Sequence, residues 1–570
     1  VLRRSATAVR VGDRLEFWAR AKPGAATDTP IAIRAGGKTF FRLAYPTPYF
    51  QFYTYTHYRE GEIEIEWEDA AIEISVAYLF NPATVAQTGV TFVEFRNGDI
   101  RTYPRDRWPG WYAAERGRPQ LRFSPFRGWM NDPNGLCYVD GLYHLFYQFH
   151  LNSTDWGPMH WGHAASPDLY HWTHLPVFLH PEENLEALGA TGGAFSGTTC
   201  IGPGGKPLVY YTERMPTYEG NSDFKELQRR VVPSRGLLRP NDNEVVLDHE
   251  PEGSAHDFRD PKVWYDTERG VYRMVLGAAI EDDPAVLLYG SEDGIDWTFV
   301  CVLYRAPAQY RENGARCVEC PDFFPLDGHF VLVMSFVGLV DPDTGRHNLM
   351  YALTGSFEND RFQPHGNELQ ELDFGTDFYA MQSFAAQGRQ IAFAWLFNWQ
   401  FRKPPGSVYS GEMSLPRVLA LDARQRLVMR PEEGYRALRS EPLAEAEPGR
   451  LATVAGAAAE IALAGRLDGI RIFGRTADGH AFAVEHIDGR LKISVPEDDG
   501  RIRYASAPLD LSELTLIFDR GTIELFANGG AVCGTRRTYR VIDLDVIEIV
   551  PGPATEIMAR EAWSLRSVWG

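Results

Sequence analysis

An all-β chain in three parts is what this sequence predicts: a β-sandwich, then a β-propeller, then a second β-sandwich. Three observations point there. Apolar and polar residues alternate with period two near both ends of the chain. A turn-plus-aromatic unit recurs through the middle. Long helical patterns are absent between them.

Residues 1–116 carry the first set of strands. Leu15-Glu16-Phe17-Trp18-Ala19-Arg20 and Glu62-Ile63-Glu64-Ile65-Glu66-Trp67 alternate as half-buried strands do. Between them Thr47 to Tyr58 is strongly aromatic, which suits a sandwich core, a face docked on the next domain or a sugar-binding patch. In residues 117–430 short strands alternate with turn residues. Ser166-Pro167-Asp168-Leu169-Tyr170-His171-Trp172 returns in outline as Ser291-Glu292-Asp293-Gly294-Ile295-Asp296-Trp297, and more loosely as Thr354 to Phe362. Such recurrence predicts radially repeated blades, an arrangement that brings residues far apart in sequence into one axial pocket. Residues 431–445, rich in Pro, Glu and Ala, read as a connector. From 446 to 570 alternation resumes, as in Gly469 to Gly474 and Leu514 to Asp519, and predicts the second sandwich.

The bulk composition narrows the function. The 570 residues exceed one core, and 13% are aromatic. The formal net charge of −19 argues against nucleic acid or an anionic membrane face as partner and suits a neutral substrate. No apolar run is long enough to span a membrane. Six cysteines in this length make no disulfide framework. No secretory signal stands at Val1, and the compartment stays open: secreted or periplasmic for a polymeric substrate, cytoplasmic for an imported oligosaccharide. Oligomeric state is not legible.

The most informative stretch is Trp129-Met130-Asn131-Asp132-Pro133-Asn134-Gly135, a short carboxylate between an amide and a proline. Its composition predicts a Pro/Gly turn, in which Asp132 could be a nucleophile, a metal ligand or a turn residue. Two further carboxylates have comparable settings, each close to a proline and leading into a strand-like run. They are Asp260 in Asp257-Phe258-Arg259-Asp260-Pro261 and Glu319 in Cys317-Val318-Glu319-Cys320-Pro321. Three such sites in successive repeats suggest one converging constellation. Glycoside cleavage needs one: a carboxylate to attack the anomeric carbon, a carboxylic acid to protonate the departing oxygen, and a third group to hold sugar hydroxyls.

These motifs, in this order, closely resemble glycoside hydrolase family 32, the β-fructofuranosidases that include invertases, inulinases and levanases. Phe146 to His150, Trp156 to His163, Ala194-Phe195-Ser196-Gly197, Tyr379 to Phe384, Ala394 to Trp399 and Phe518 to Gly530 extend the resemblance over residues 117–570. It implies a five-bladed propeller followed by a sandwich, acting with retention on a fructose-containing oligo- or polysaccharide and needing no cofactor. It implies Asp132 as nucleophile, Glu319 as acid/base and Asp260 as the residue that binds fructose hydroxyls and stabilises the transition state. Asn131, Gln148, Trp156, Phe195, Ser196, Arg259 and Trp395 would line the fructose pocket. The chain departs from many members at His150-Leu151, where they have Asn-Pro or His-Pro, and in its extra N-terminal domain.

Three rivals remain: a fructosyltransferase using the same residues, a non-catalytic fructan-binding protein, and an inverting arabinan-type hydrolase on a related propeller. No metal site is expected. Cys317-x-x-Cys320 lacks a second pair, and His150, His160 and His163 suit packing or sugar hydrogen bonds.

Overall fold

The computed structural model describes residues 2–25, 31–43, 46–96, 99–181, 184–217, 224–396, 406–498 and 500–570. Period-two alternation places Ile63, Ile65 and Trp67 of the strand Gly61–Glu68 in a core, while Glu62 and Glu64 face solvent. That strand belongs to a four-stranded sheet with Leu2–Val9, Ile31–Ala35 and Lys38–Leu43. The facing sheet orders Asp99–Tyr103, Thr91–Arg96, Ala77–Phe80, Arg14–Ala21 and Gln51–Thr56, with Ile72–Ile74 also paired to Arg14–Ala21. The strand Arg14–Ala21 is buried on both faces. Leu15, Phe17 and Ala19 enter the sandwich core, whereas Trp18 joins the core of the next domain. The aromatic stretch divides the same way: Tyr53 and Tyr55 pack on the sandwich core, Phe50 and Phe52 on the propeller side.

Five sheets follow, antiparallel except where Tyr409–Ser410 pairs in parallel with Gly128 and Trp129. Their innermost strands are Gly128–Val139, Gly193–Ile201, Ser254–Asp266, Cys317–Leu326 and Tyr379–Ala386. Each touches the next, and the fifth returns to the first, so the blades close a five-membered ring. The recurring unit of the sequence sits at one structural position, the turn from third to fourth strand, in blades one, three and four. In the first two copies it is an aspartate-capped loop. Asp168 Oδ1 accepts from the amides of Tyr170 and His171, and Asp293 Oδ1 from those of Ile295 and Asp296.

The C-terminal sandwich packs two six-stranded sheets around Ile472, Leu514, Leu516 and Phe518. The expected connector is well anchored. Glu433–Leu438 forms a 3-10 turn, and Arg439–Pro442 pairs with Glu556–Leu565 as an edge strand of the sandwich. Glu460 fixes the junction by accepting from Tyr435 Oη and from Arg439. Polar composition there reflects an exposed sheet edge rather than a free linker.

Candidate active site

The seven residues from Trp129 to Gly135 do not form the turn their composition predicts. They lie inside the continuous strand Gly128–Val139. Proline is tolerated because the strand's outer pairing, with Tyr409–Ser410, ends at Trp129, and at Pro133 only the edge towards the second strand is paired. What the sequence disguises as a turn is a register shift. Pairing with the second strand slips between Met130 and Pro133, leaving Asn131 and Asp132 opposite no partner. The same slip recurs between Ala194 and Gly197, Arg259 and Lys262, Glu319 and Asp322, and Tyr379 and Gln382. Every blade therefore carries a bulge at an equivalent place in its innermost strand. A bulge bends the strand and re-aims side chains. Asp260, Cys320 and Ala380 adopt the left-handed region there, with φ of 63°, 46° and 54°.

The bulges bring the three carboxylates together. Ser196 of blade two donates to Asp132 Oδ2 at 2.7 Å and accepts from Gln148 Nε2 at 3.1 Å. Cys320 of blade four links the two aspartates, its thiol 3.5 Å from Oδ2 of Asp132 and of Asp260, its amide donating to Asp260 at 2.8 Å. Thr212, itself donating to Gln228, accepts the Asp260 amide at 2.9 Å and holds that strained backbone. Glu319 receives two donors at 2.9 Å: Arg259 Nη2 on Oε1 and the Tyr379 hydroxyl on Oε2.

Arg259 is 2% exposed and organises the cluster. Beyond Glu319 it donates to Glu226 at 3.2 Å and Asp257 at 2.5 Å, and its Nε stands 4.0 Å from Asp260. Arg316 and Arg214 complete the pairing of Asp257 and Glu226. Five carboxylates thus share three guanidiniums, and burial works against the charge on the aspartates. Burial, then the charges of Glu319 and Asp132, push Asp260 up to about 7 against the pull of Arg259. Burial also raises Asp132, with Glu319 adding to it, while Ser196 and Asn131 oppose. Burial favours a neutral Asp257 as well, but Arg259 and Arg316 outweigh it and hold that carboxyl below its usual range. Tyr379 is lifted well above the ordinary phenol, first by burial and then by Glu319, so its hydroxyl stays a donor.

The other expected residues surround this cluster. Asn131 accepts from the Trp129 indole at 2.8 Å. Trp156, in the loop after His150, lies against Phe195 with ring centroids 6.1 Å apart. Trp395 is 2% exposed and packs edge-on against Trp129. Trp161 is fully buried and donates to the Phe195 carbonyl, which fixes the second bulge. His163 pairs with His144, and His150 with the Asp155 carbonyl. Phe397, Asn398 and Trp399 lie outside the described residues. Sequence reasoning passed over Tyr379, Cys320, Glu226 and Thr212 as groups contacting or holding the carboxylates. The first two stand inside recognised motifs, but Glu226 and Thr212 occupy ordinary strands and carry no local signal.

With this geometry in view, comparison with known proteins is informative. The family description "Glycosyl hydrolases family 32 N-terminal domain" matches residues 122–431. A raffinose invertase of Escherichia coli is 34% identical over 76% of this chain and 92% of its own length.

This chain belongs to glycoside hydrolase family 32.

A sucrose-6-phosphate hydrolase of Zymomonas mobilis is 37% identical over 56% of this chain, and the match spans 63% of that protein's length. Among solved structures, a family 32 protein from Bifidobacterium adolescentis superimposes with a TM-score of 0.88 over 99% of this chain and all of its own, at 24% identity. Its likeness is one of fold, and it extends through the N-terminal sandwich. A family 32 beta-fructofuranosidase from Bombyx mori, solved as a mutant with sucrose, has a TM-score of 0.69 at 29% identity over 81% of this chain and 98% of its own.

Proposed function

We propose that this protein is a retaining glycoside hydrolase that releases terminal, non-reducing β-D-fructofuranosyl units from sucrose or fructans. The observation that carries the reading is the convergence of Asp132, Asp260 and Glu319 on aligned bulges, with Ser196, Cys320, Arg259 and Tyr379 fixing them. The raffinose invertase, a levanase of Bacillus subtilis and a fructan 1-exohydrolase of Triticum aestivum among its relatives support the substrate class.

In the first step the Asp132 carboxylate bonds to C2 of the fructosyl unit as the bond from C2 to the leaving oxygen breaks. Glu319 delivers its proton to that oxygen. Positive charge developing on the ring is met by a site with more carboxylates than guanidiniums, and Asp260 accepts from the sugar hydroxyls. In the second step water attacks C2, Glu319 takes its proton, and Asp132 is released. The three guanidiniums around the cluster are already engaged by carboxylates. That favours a neutral sugar over its phosphate ester.

The test is fructose release from sucrose, sucrose 6-phosphate, inulin and levan by the wild type and Asp132→Asn. Release from the neutral sugars that Asp132→Asn abolishes is expected. Unimpaired Asp132→Asn sinks the assignment, and longer oligosaccharides as the main product from concentrated sucrose would make the protein a transferase.

A further inference from the structure

The N-terminal sandwich does more than cover the propeller. Where it meets the first blade it leaves a cavity of about 450 Å³, separate from the bulged cluster. Trp18, Phe52 and His180 form an aromatic wall. The Phe52 and His180 rings lie 4.2 Å apart, and Trp18 stacks on His180 at 5.8 Å. Polar groups share the lining: Asn152, His160 and Glu186.

Two of these side chains carry a buried polar atom that has no hydrogen-bond partner among the described residues. They are Asn152 Oδ1 and His180 Nδ1. His160 is only 3% exposed. Buried polar atoms are ordinarily paired, and two orphans around one cavity mark a place where a ligand's hydroxyls would recover the lost bonds. Ring faces beside convergent amide, imidazole and carboxylate groups suit a sugar. The charge state selects among ligands. Burial holds His180 down to about 4 and His160 well below its usual value, so both rings are neutral. The carboxyl group of Glu186 joins them, and among the described residues no Lys or Arg lines the cavity.

The cavity adjoins the loop that carries Trp156. Pro158 lines it, and Trp156, two residues earlier on the same loop, faces Phe195 of the second bulge. Glu186 ties the elements together, accepting from the Phe50 amide of the sandwich at 2.8 Å and from Asn152 of the loop at 3.3 Å.

We propose that this cavity is a second saccharide subsite, built jointly by the N-terminal sandwich and the first blade, which holds a neutral sugar unit of an oligosaccharide whose terminal fructosyl occupies the axial site. The proposal rests on the fructosidase reading and assigns the extra domain a role in choosing longer substrates.

The experiment compares kcat/KM for sucrose and for an inulin-type tetrasaccharide in the full-length wild type, Phe52→Leu and His180→Ala, each checked for cooperative thermal unfolding. Phe52→Leu keeps apolar volume and removes the ring face, so it remains informative if His180→Ala does not fold. The expected result is a fall in the tetrasaccharide-to-sucrose ratio of about fivefold, carried by KM; that fold-change is equivalent to ~1 kcal/mol, the size of one ring contact. An unchanged ratio overturns the subsite. So does an equal loss on both substrates, which would show that the rings only brace the Trp156 loop. A wild type that cleaves neither sugar removes the functional reading itself, and the subsite with it.

Discussion

Two clusters of buried charge invite comparison, one joining the propeller to the C-terminal sandwich and one at the axis. At the joint, Arg122 and Arg417 both donate to Glu524, at 2.6 and 3.0 Å, with all three side chains fully buried. Asp519 accepts the amides of Gln120 and Leu121, and Asp373 those of Gly375 and Thr535. Burial opposes the charge on Glu524, but the two guanidiniums outweigh it and hold the carboxyl below its usual range. Asp519 and Asp373 rise with burial, yet each is met by two fixed backbone donors. At the axis Arg259 and Asp260 are buried, while Asp132 and Glu319 are partly open, and Arg259 is divided among Glu226, Asp257 and Glu319, with Arg214 and Arg316 assisting only the first two. Asp132 and Asp260 are met by the Ser196 hydroxyl, the Asn131 side chain, the Cys320 thiol and one amide, with Arg259 4.0 Å from Asp260. The lesson lies in the ratio of donors to carboxylates. A cluster with enough donors holds domains together, whereas one short of donors is ready to take sugar hydroxyls and a developing cation.

Mutations can separate the two. Asp132→Asn is expected to lower kcat on sucrose by about 10⁴-fold or more without lowering the unfolding midpoint, because it removes a crowded charge. Asp260→Asn should cost roughly 10²–10³-fold in kcat. Its effect on stability follows from linkage. The Asp260 carboxyl titrates higher folded than unfolded, so its favourable contribution is complete below the unfolded value near ~4 and is lost as pH rises through about 7. The gain in Tm of Asp260→Asn over wild type should therefore be larger at pH ~8 than at pH ~5, and a gain independent of pH would contradict the charge crowding. Glu524→Gln should do the reverse of Asp132→Asn. It leaves Arg122 and Arg417 under-paired and costs about 3–5 kcal/mol in denaturant unfolding, while kcat per folded molecule holds. Tyr379→Phe deletes one donor to Glu319 and should lower kcat/KM by about tenfold, the equivalent of ~1.4 kcal/mol.

Much of this is legible in the sequence itself. Alternation in Glu62 to Trp67 and in Leu514 to Asp519 located both sandwiches. The Ser166 and Ser291 units fell at matching corners of separate blades because an aspartate-capped turn is local chemistry. The turn expected at Trp129 to Gly135 was wrong for an instructive reason. Asn, Asp, Pro and Gly serve a bulge on an axis-facing edge as well as they serve a turn, and only pairing with the second strand distinguishes the two. Glu226 and Thr212 stayed hidden because register, not composition, brings them under Arg259 and Asp260. Phe518 to Gly530 carried a family resemblance whose physical basis is the joint: Asp519 and Glu524 within it are the partners of Arg122 and Arg417.

The central claim is that Asp132 bonds to the sugar while Glu319 manages the proton. Its most direct test is mass spectrometry of Glu319→Ala quenched during turnover of a fructosyl donor with a leaving group that needs no proton. The account predicts one fructosyl unit attached to the peptide containing Asp132, and fructose released by the wild type first as the β anomer. An unlabelled Asp132 peptide together with an inverted first-formed anomer would contradict it.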